Sequence, residues 1–156
     1  MKEVFMSELT ETSTTARDNV GDVRFENGKY YRYVKNNHSA EFGVGDVPVY
    51  DVSLAGKYHE AIEIAATATL ARTAGVIVTA IPAASYGWIL IEGAVDLVTI
   101  SSVAHVVGDK INSVNASLIG LKAAVGSGTS GREGDIVITN AATSAIPTAY
   151  VRLLTA

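Results

Sequence analysis

Asn27-Gly28 lies between two alternating runs, Asp22-Val23-Arg24-Phe25-Glu26 and Lys29-Tyr30-Tyr31-Arg32-Tyr33-Val34. No other feature constrains the chain as strongly. Both residues of the pair tolerate the positive φ that a two-residue type I′ turn demands, so the segment predicts a β-hairpin. Alternation then sends Tyr31 and Tyr33 to one face of the second strand and Tyr30 and Arg32 to the other.

Downstream punctuation keeps the same rhythm. Asn36-Asn37-His38-Ser39 reads as a loop, and Val47-Pro48-Val49-Tyr50 as a short strand whose proline confines it to a sheet edge or a strand start. Gly75 to Ile81, Trp88 to Glu92, Ala94 to Ile100, Lys110 to Val114, Ser117 to Leu121, Asp135 to Thr139 and Ala149 to Leu154 are β-branched-rich runs of strand length. A turn is expected at Gly93-Ala94, with Glu92 and Asp96 on either side. Glu60 to Leu70 places Ile62, Ile64, Ala66, Ala68 and Leu70 on one period-2 face, yet its alanines also suit a helix, and both readings stand. Gly21-Asp22, Gly45-Asp46, Gly108-Asp109 and Gly134-Asp135 each precede an extended run, as expected of turns in which the aspartate bonds its own backbone. The expected fold class is mainly β: a small barrel or sandwich of short strands with an extended N-terminal arm, the arm covering residues 1–20 and one β-rich domain covering 21–156.

The arm is rich in Ser, Thr and charge, and its apolar side chains are Val4, Phe5, Met6 and Leu9. It is either a frayed terminus or a segment that orders against a neighbour. Deletion of residues 1–18 is expected to weaken partner binding while leaving the fold intact. Eight of the eleven aromatic residues precede residue 60, whereas nineteen of the twenty-two alanines follow it. Small side chains of that kind let backbones and subunits approach closely. Charged residues make up 18% of the chain, below the roughly 25% usual in soluble domains, so other subunits are an expected covering for part of its surface.

The search for chemistry turns up little. Without cysteine the chain has no disulfide, thiolate metal site or cysteine nucleophile. A net charge of −4 with no basic cluster argues against a nucleic-acid partner. The N-terminus has no apolar signal core, and Ala61 to Ala84 is broken by Glu63, Arg72, Gly75 and Pro82, so no membrane partner is expected. Gly126-Ser127-Gly128-Thr129-Ser130-Gly131 matches a dinucleotide loop in letters, but it leads into the strand-like Asp135-Ile136-Val137-Ile138-Thr139 rather than a helix. His38, His59 and His105 have no metal-ligand spacing. No catalytic, cofactor-binding or metal residues are assigned, and no enzyme activity or cofactor is expected. The candidate partner-binding residues are Val4, Phe5, Leu9 and Trp88, the last being either a core anchor or a subunit-interface anchor.

Several segments together resemble a known family. They are Asp22-Val23-Arg24-Phe25 with Tyr31-Arg32-Tyr33-Val34, Ala74-Gly75-Val76 through Ile81-Pro82-Ala83, Tyr86-Gly87-Trp88-Ile89, Glu92-Gly93, Gly108-Asp109, and Val151-Arg152-Leu153-Leu154. Over roughly residues 20–155 the chain resembles the capsid decoration, or cement, proteins of tailed bacteriophages. The resemblance implies a β-rich virion structural protein, a homo-oligomer and commonly a trimer. Such a protein is made in the bacterial host cytoplasm and binds the major capsid protein on the outer capsid surface of the expanded head. Other expectations to be weighed are a different virion β-module, such as a head-fibre base or tail component, and a small trimeric β-fold enzyme or carbohydrate-binding module.

Overall fold

A computed structural model of the chain describes residues 5–51, 53–54, 57–63, 73–96, 107–108, 111–113, 120–122, 136–140 and 148–152. The hairpin forms where the sequence placed it. Strand β1 (Val23–Glu26) pairs with β2 (Lys29–Asn36), with Glu26 opposite Lys29 and Val23 opposite Arg32, and Asn27 and Gly28 turn between them at φ 50° and 77°. Strand β3 (Val49–Tyr50), β4 (Ala61–Glu63), β5 (Val76–Ile77) and β6 (Tyr86–Asp96) follow. Then come β7 (Ile111–Ser113), β8 (Gly120–Lys122), β9 (Ile136–Asn140) and β10 (Thr148–Arg152). The helical element among the described residues is a 3₁₀ turn at Tyr58–Glu60.

The chain is mainly β, as expected. Eight strands form one mixed sheet with the order β3-β4-β2-β6-β10-β9, onto which β1 joins beside β2 and β5 beside β6; β7 and β8 form a separate pair. Among the described residues the large sheet does not close into a barrel, because β3 and β9 stand at opposite ends of its order. Pro48 lies just before β3, at the strand start as one of the two readings had it; β3 stands at one end of the sheet order, with Val49 also bridged to Thr73. Ala61 to Glu63 is strand; the remainder of the ambiguous stretch, 64–70, lies outside the described residues. So do Gly126 to Gly131, His105, Asp109 and Gly134-Asp135.

One expectation is corrected. Glu92 and Gly93 do not turn; β6 runs straight through them for 11 residues. Gly93 holds φ at +134°, and a Cβ there would lie 2.7 Å from Cγ of Lys29, so only glycine allows the neighbouring strand's lysine to cross at that point. The sheet absorbs the irregularity in a bulge, where the register passes from Tyr30 opposite Glu92 to Tyr31 opposite Leu90 and leaves Ile91 unmatched.

Both faces of the central strands are buried. On one face Tyr31, Tyr33, Trp88 and Leu90 are neighbours by register; on the other, Ile77 faces Ile89, and Ile62 lies between Asn36 and Tyr50. Trp88, Tyr33, Val34, Ile62, Ile77 and Ile89 are all at or near complete burial. The 40–47 loop is anchored by a two-way bridge between Phe42 and Ile81.

Candidate functional site

The expected arm is a strap laid across the Tyr33–Trp88 face of its own domain. Its path starts at Phe5, whose ring meets Trp88 edge-on at 5.3 Å between centroids. Ser7 follows, nearly buried, and its hydroxyl accepts the indole Nε1–H of Trp88 at 2.9 Å. Leu9 packs at the margin of the core. At Ser13 the strap pairs through its backbone with Tyr86, in both directions, at 3.2 and 2.8 Å.

Asp18 returns to lock the strap. Its carboxylate accepts the amides of Met6 (2.7 Å) and Ser7 (3.1 Å) and also the Ser7 hydroxyl. Ser7 therefore donates to Asp18 while accepting from Trp88, which fixes its rotamer from both sides. Arg24 closes the cluster. One guanidinium nitrogen donates to the Ser7 carbonyl at 2.8 Å, another pairs with Glu26, and the plane lies 5.4 Å from the Phe5 ring centre and 5.8 Å from that of Trp88. A lysine could not divide itself between a carbonyl, a carboxylate and two ring faces in this way. Beneath, Tyr33 touches Trp88 at 5.0 Å and Tyr86 at 6.1 Å, and the Tyr33 hydroxyl accepts the Arg17 amide at 3.2 Å.

Of the four candidate partner-binding residues, Phe5 and Trp88 come together, Leu9 packs against the same core, and Val4 lies outside the described residues. Phe5, Leu9 and Trp88 meet one another's surroundings within one chain. Trp88 is 1% exposed, so it is a core anchor sealed by the strap and could reach another molecule only if the strap moved. The expectation that the fold stays intact without residues 1–18 is revised for the same reason: they carry Phe5, Ser7 and Asp18. Replacing Asp18 with alanine removes all three of its bonds to the strap. The expected result is a loss of about 2 kcal/mol and a red-shifted emission from Trp88, the sole tryptophan, measured by fluorescence during chemical unfolding.

A second polar cluster holds the far end of β2. His38 Nδ1 pairs with Glu63 at 2.6 Å, and the His38 ring packs 5.8 Å from that of Phe42. Asn37 donates to Asp51 at 2.9 Å, and Asp51 also accepts the Ser53 amide and hydroxyl. His59 lies in the 3₁₀ turn against Gly21. Among the described residues, no group of three or more His, Cys, Asp or Glu side chains could hold a metal ion. Nor is any helix there long and apolar enough to cross a membrane.

The glycines of the Gly-Asp turns take the expected conformation where they are described, and the expected bond from aspartate to its own turn is seen at Asp46. Gly21, Gly45 and Gly108 all have positive φ, and the Asp46 carboxylate accepts the Gly43 amide at 2.7 Å. Burial pushes the Asp46 carboxyl above the usual carboxylate range, and the Gly43 amide offsets this in part. The folded state therefore takes up this proton before the unfolded chain does, whose carboxyl titrates at 3.8. Ionised Asp46 costs stability at neutral pH, and the cost fades as pH falls through the raised folded value. Asp51 has the opposite sign. Burial would raise it, but the bonds from Asn37 and Ser53 outweigh burial and hold it low, so it contributes stability above 3.8 that is lost as pH falls through its folded value. Between about pH 7 and about pH 4 the melting temperature of the native protein is expected to gain on that of Asp46→Asn. A constant difference across that range would refute the assignment.

Comparison with protein-family models and with curated proteins finds no match to this chain.

Proposed function

We propose that the chain is a capsid decoration protein of a tailed bacteriophage. On this reading it is a homo-oligomer, with a trimer as the expected form, that seats on the major capsid protein of the expanded head and stabilises the shell by non-covalent contact. The observation that carries the reading is a β domain whose described core side chains are buried while large apolar side chains stay in water, Met6 at 76% and Phe25 at 62% exposed. Methionine and aromatic side chains are enriched where proteins meet one another, so these two are available for such contact. The segment resemblance over residues 20–155 supplies the kind of partner. The strap supports it as well, since it turns Phe5 and Ser7 inward and Met6 outward, sealing the domain and presenting an apolar side chain in the same few residues. Ligand that binds one state alone stabilises that state by mass action, so a contact displayed only after head expansion stabilises the expanded shell.

Purified protein is expected to sediment with expanded tailed-phage heads and to raise their melting temperature. Met6→Gln removes the exposed apolar side chain without adding a charge beside Asp18, which accepts the Met6 amide, so it is expected to weaken head binding without lowering the melting temperature of the free protein. Absence of affinity for any expanded head would sink the reading. Density on the tail, rather than at local threefold positions of the head, would reassign the chain to a head-fibre base or tail component.

A further inference from the structure

At the end of the sheet away from the Asn37–Asp51 cluster, β1, β2, β6 and β10 carry a strip of exposed side chains on one face. The register sets Phe25 beside Tyr30, Tyr30 beside Glu92, and Glu92 beside Arg152; one step along the strands, Ala94 stands beside Tyr150. Register partners share a face. Phe25 and Tyr150 are 62% and 43% exposed, Ala94 and Arg152 are exposed, and Tyr30 and Glu92 are half-exposed.

Two features of the strip indicate what fits it. Glu92 and Arg152 stand opposite each other on neighbouring strands, yet among the described residues neither side chain makes an ion pair. The pattern is also complementary to itself. A two-fold axis parallel to the strands and midway between β6 and β10 lays β6 of one copy over β10 of the other. Glu92 then meets the partner's Arg152, and Ala94 meets the partner's Tyr150, each contact occurring twice, with the small alanine leaving room for the ring. A partner of uniform charge would be attracted by one member of the Glu92–Arg152 pair and repelled by the other.

We propose that this strip is the contact through which two copies of the chain associate about a two-fold axis. The contact is isologous, with the two sheets aligned and about 10 Å apart. Four residues a side, Glu92, Ala94, Tyr150 and Arg152, meet about this axis, short of the roughly 20–30 of a standard interface, so the association is weak and depends on concentration. It does not rest on the capsid reading, and it is a different contact from the threefold one that reading expects.

The test is sedimentation velocity on the free protein from about 1 µM to about 1 mM. The native chain is expected to show mass doubling as concentration rises. E92R and R152E each place like charges face to face across the axis, and each is expected to weaken association about tenfold or more. An equimolar mixture of the two variants brings a positive strip against a negative one and restores association. Rescue by mixing cannot arise from misfolding or from a charge effect inside one copy. A native chain with no concentration-dependent doubling, or a mixture no better associated than its components, overturns the proposal. Because no capsid is present, neither result bears on head binding.

Discussion

Trp88→Ala is expected to lower the free energy of unfolding by about 4 kcal/mol, the range found when a fully buried aromatic is truncated and its surroundings collapse only in part. The indole is in contact with Phe5 and Tyr33, lies under the Arg24 guanidinium, and donates to Ser7. Its loss removes the surface on which the strap rests. The stability change is read by chemical denaturation followed by circular dichroism. Limited trypsin digestion gives a second readout, because Arg17 is half-exposed and held by Glu11 and by the Tyr33 hydroxyl. Faster cleavage at Arg17 in the variant would report a released strap. Trp88→Phe keeps most of the ring volume and removes the bond to Ser7, so it should cost only about 1 kcal/mol more than the lost area. Equal effects of the two substitutions would show that the packing described around Trp88 is wrong.

The second large effect is expected at Asn36. This side chain is completely buried, donates to the carbonyls of Ala40, Ile81 and Pro82, and accepts the His38 amide. In Asn36→Leu, the Ile81 carbonyl keeps its bond from Phe42 and the Pro82 carbonyl its bond from Ser85. The Ala40 carbonyl and the His38 amide are left without partners among the described residues. Two orphaned backbone groups predict a loss of about 3 kcal/mol. Asn36→Asp should be worse at neutral pH although it is the closer shape, because it sets a carboxylate against three carbonyl oxygens. Denaturant melts of the two variants provide the comparison, and an aspartate better tolerated than leucine would contradict the assignment.

The hairpin was legible because its signal is local: Asn27-Gly28 and the alternation around it decide the turn and the faces without help from the rest of the chain. The start of β3 was legible for a similar reason, since Pro48 has no amide to give a ladder and so stands just before the strand. Gly93 misled because a glycine between two apolar runs reads as a break, and only the lysine lying against it from β2 shows why the strand continues. Asn36 misled in a different way. It opens an Asn-Asn-His-Ser stretch that looks like a solvated loop, yet it ends β2 with its amide turned into the core. The strap was visible as composition alone. Nothing local links Ser7 to Trp88, 81 positions away, or identifies Asp18 as the residue that binds the amides of Met6 and Ser7. Side-chain bonds to backbone leave no pattern in the sequence, whereas periodic burial does.

The order of strands in the sheet also sets the tempo of folding. Residues 23–36 can form their hairpin as soon as they exist, on the microsecond scale of isolated hairpins. The strand that completes β2, however, is β6, and β6 in turn pairs with β10 near residue 150. The pairings at the middle of the core, β2 with β4 and β6 and β6 with β10, join distant parts of the chain, the arrangement that places small β proteins in the millisecond-to-second class. During synthesis the aromatic-rich first third leaves the ribosome well before the strands that cover it, with its tyrosines exposed in the interval. The strap can settle only after β6 has joined β2, because it rests on Trp88 and pairs with Tyr86, so residues 5–18 are among the last described residues to find their place.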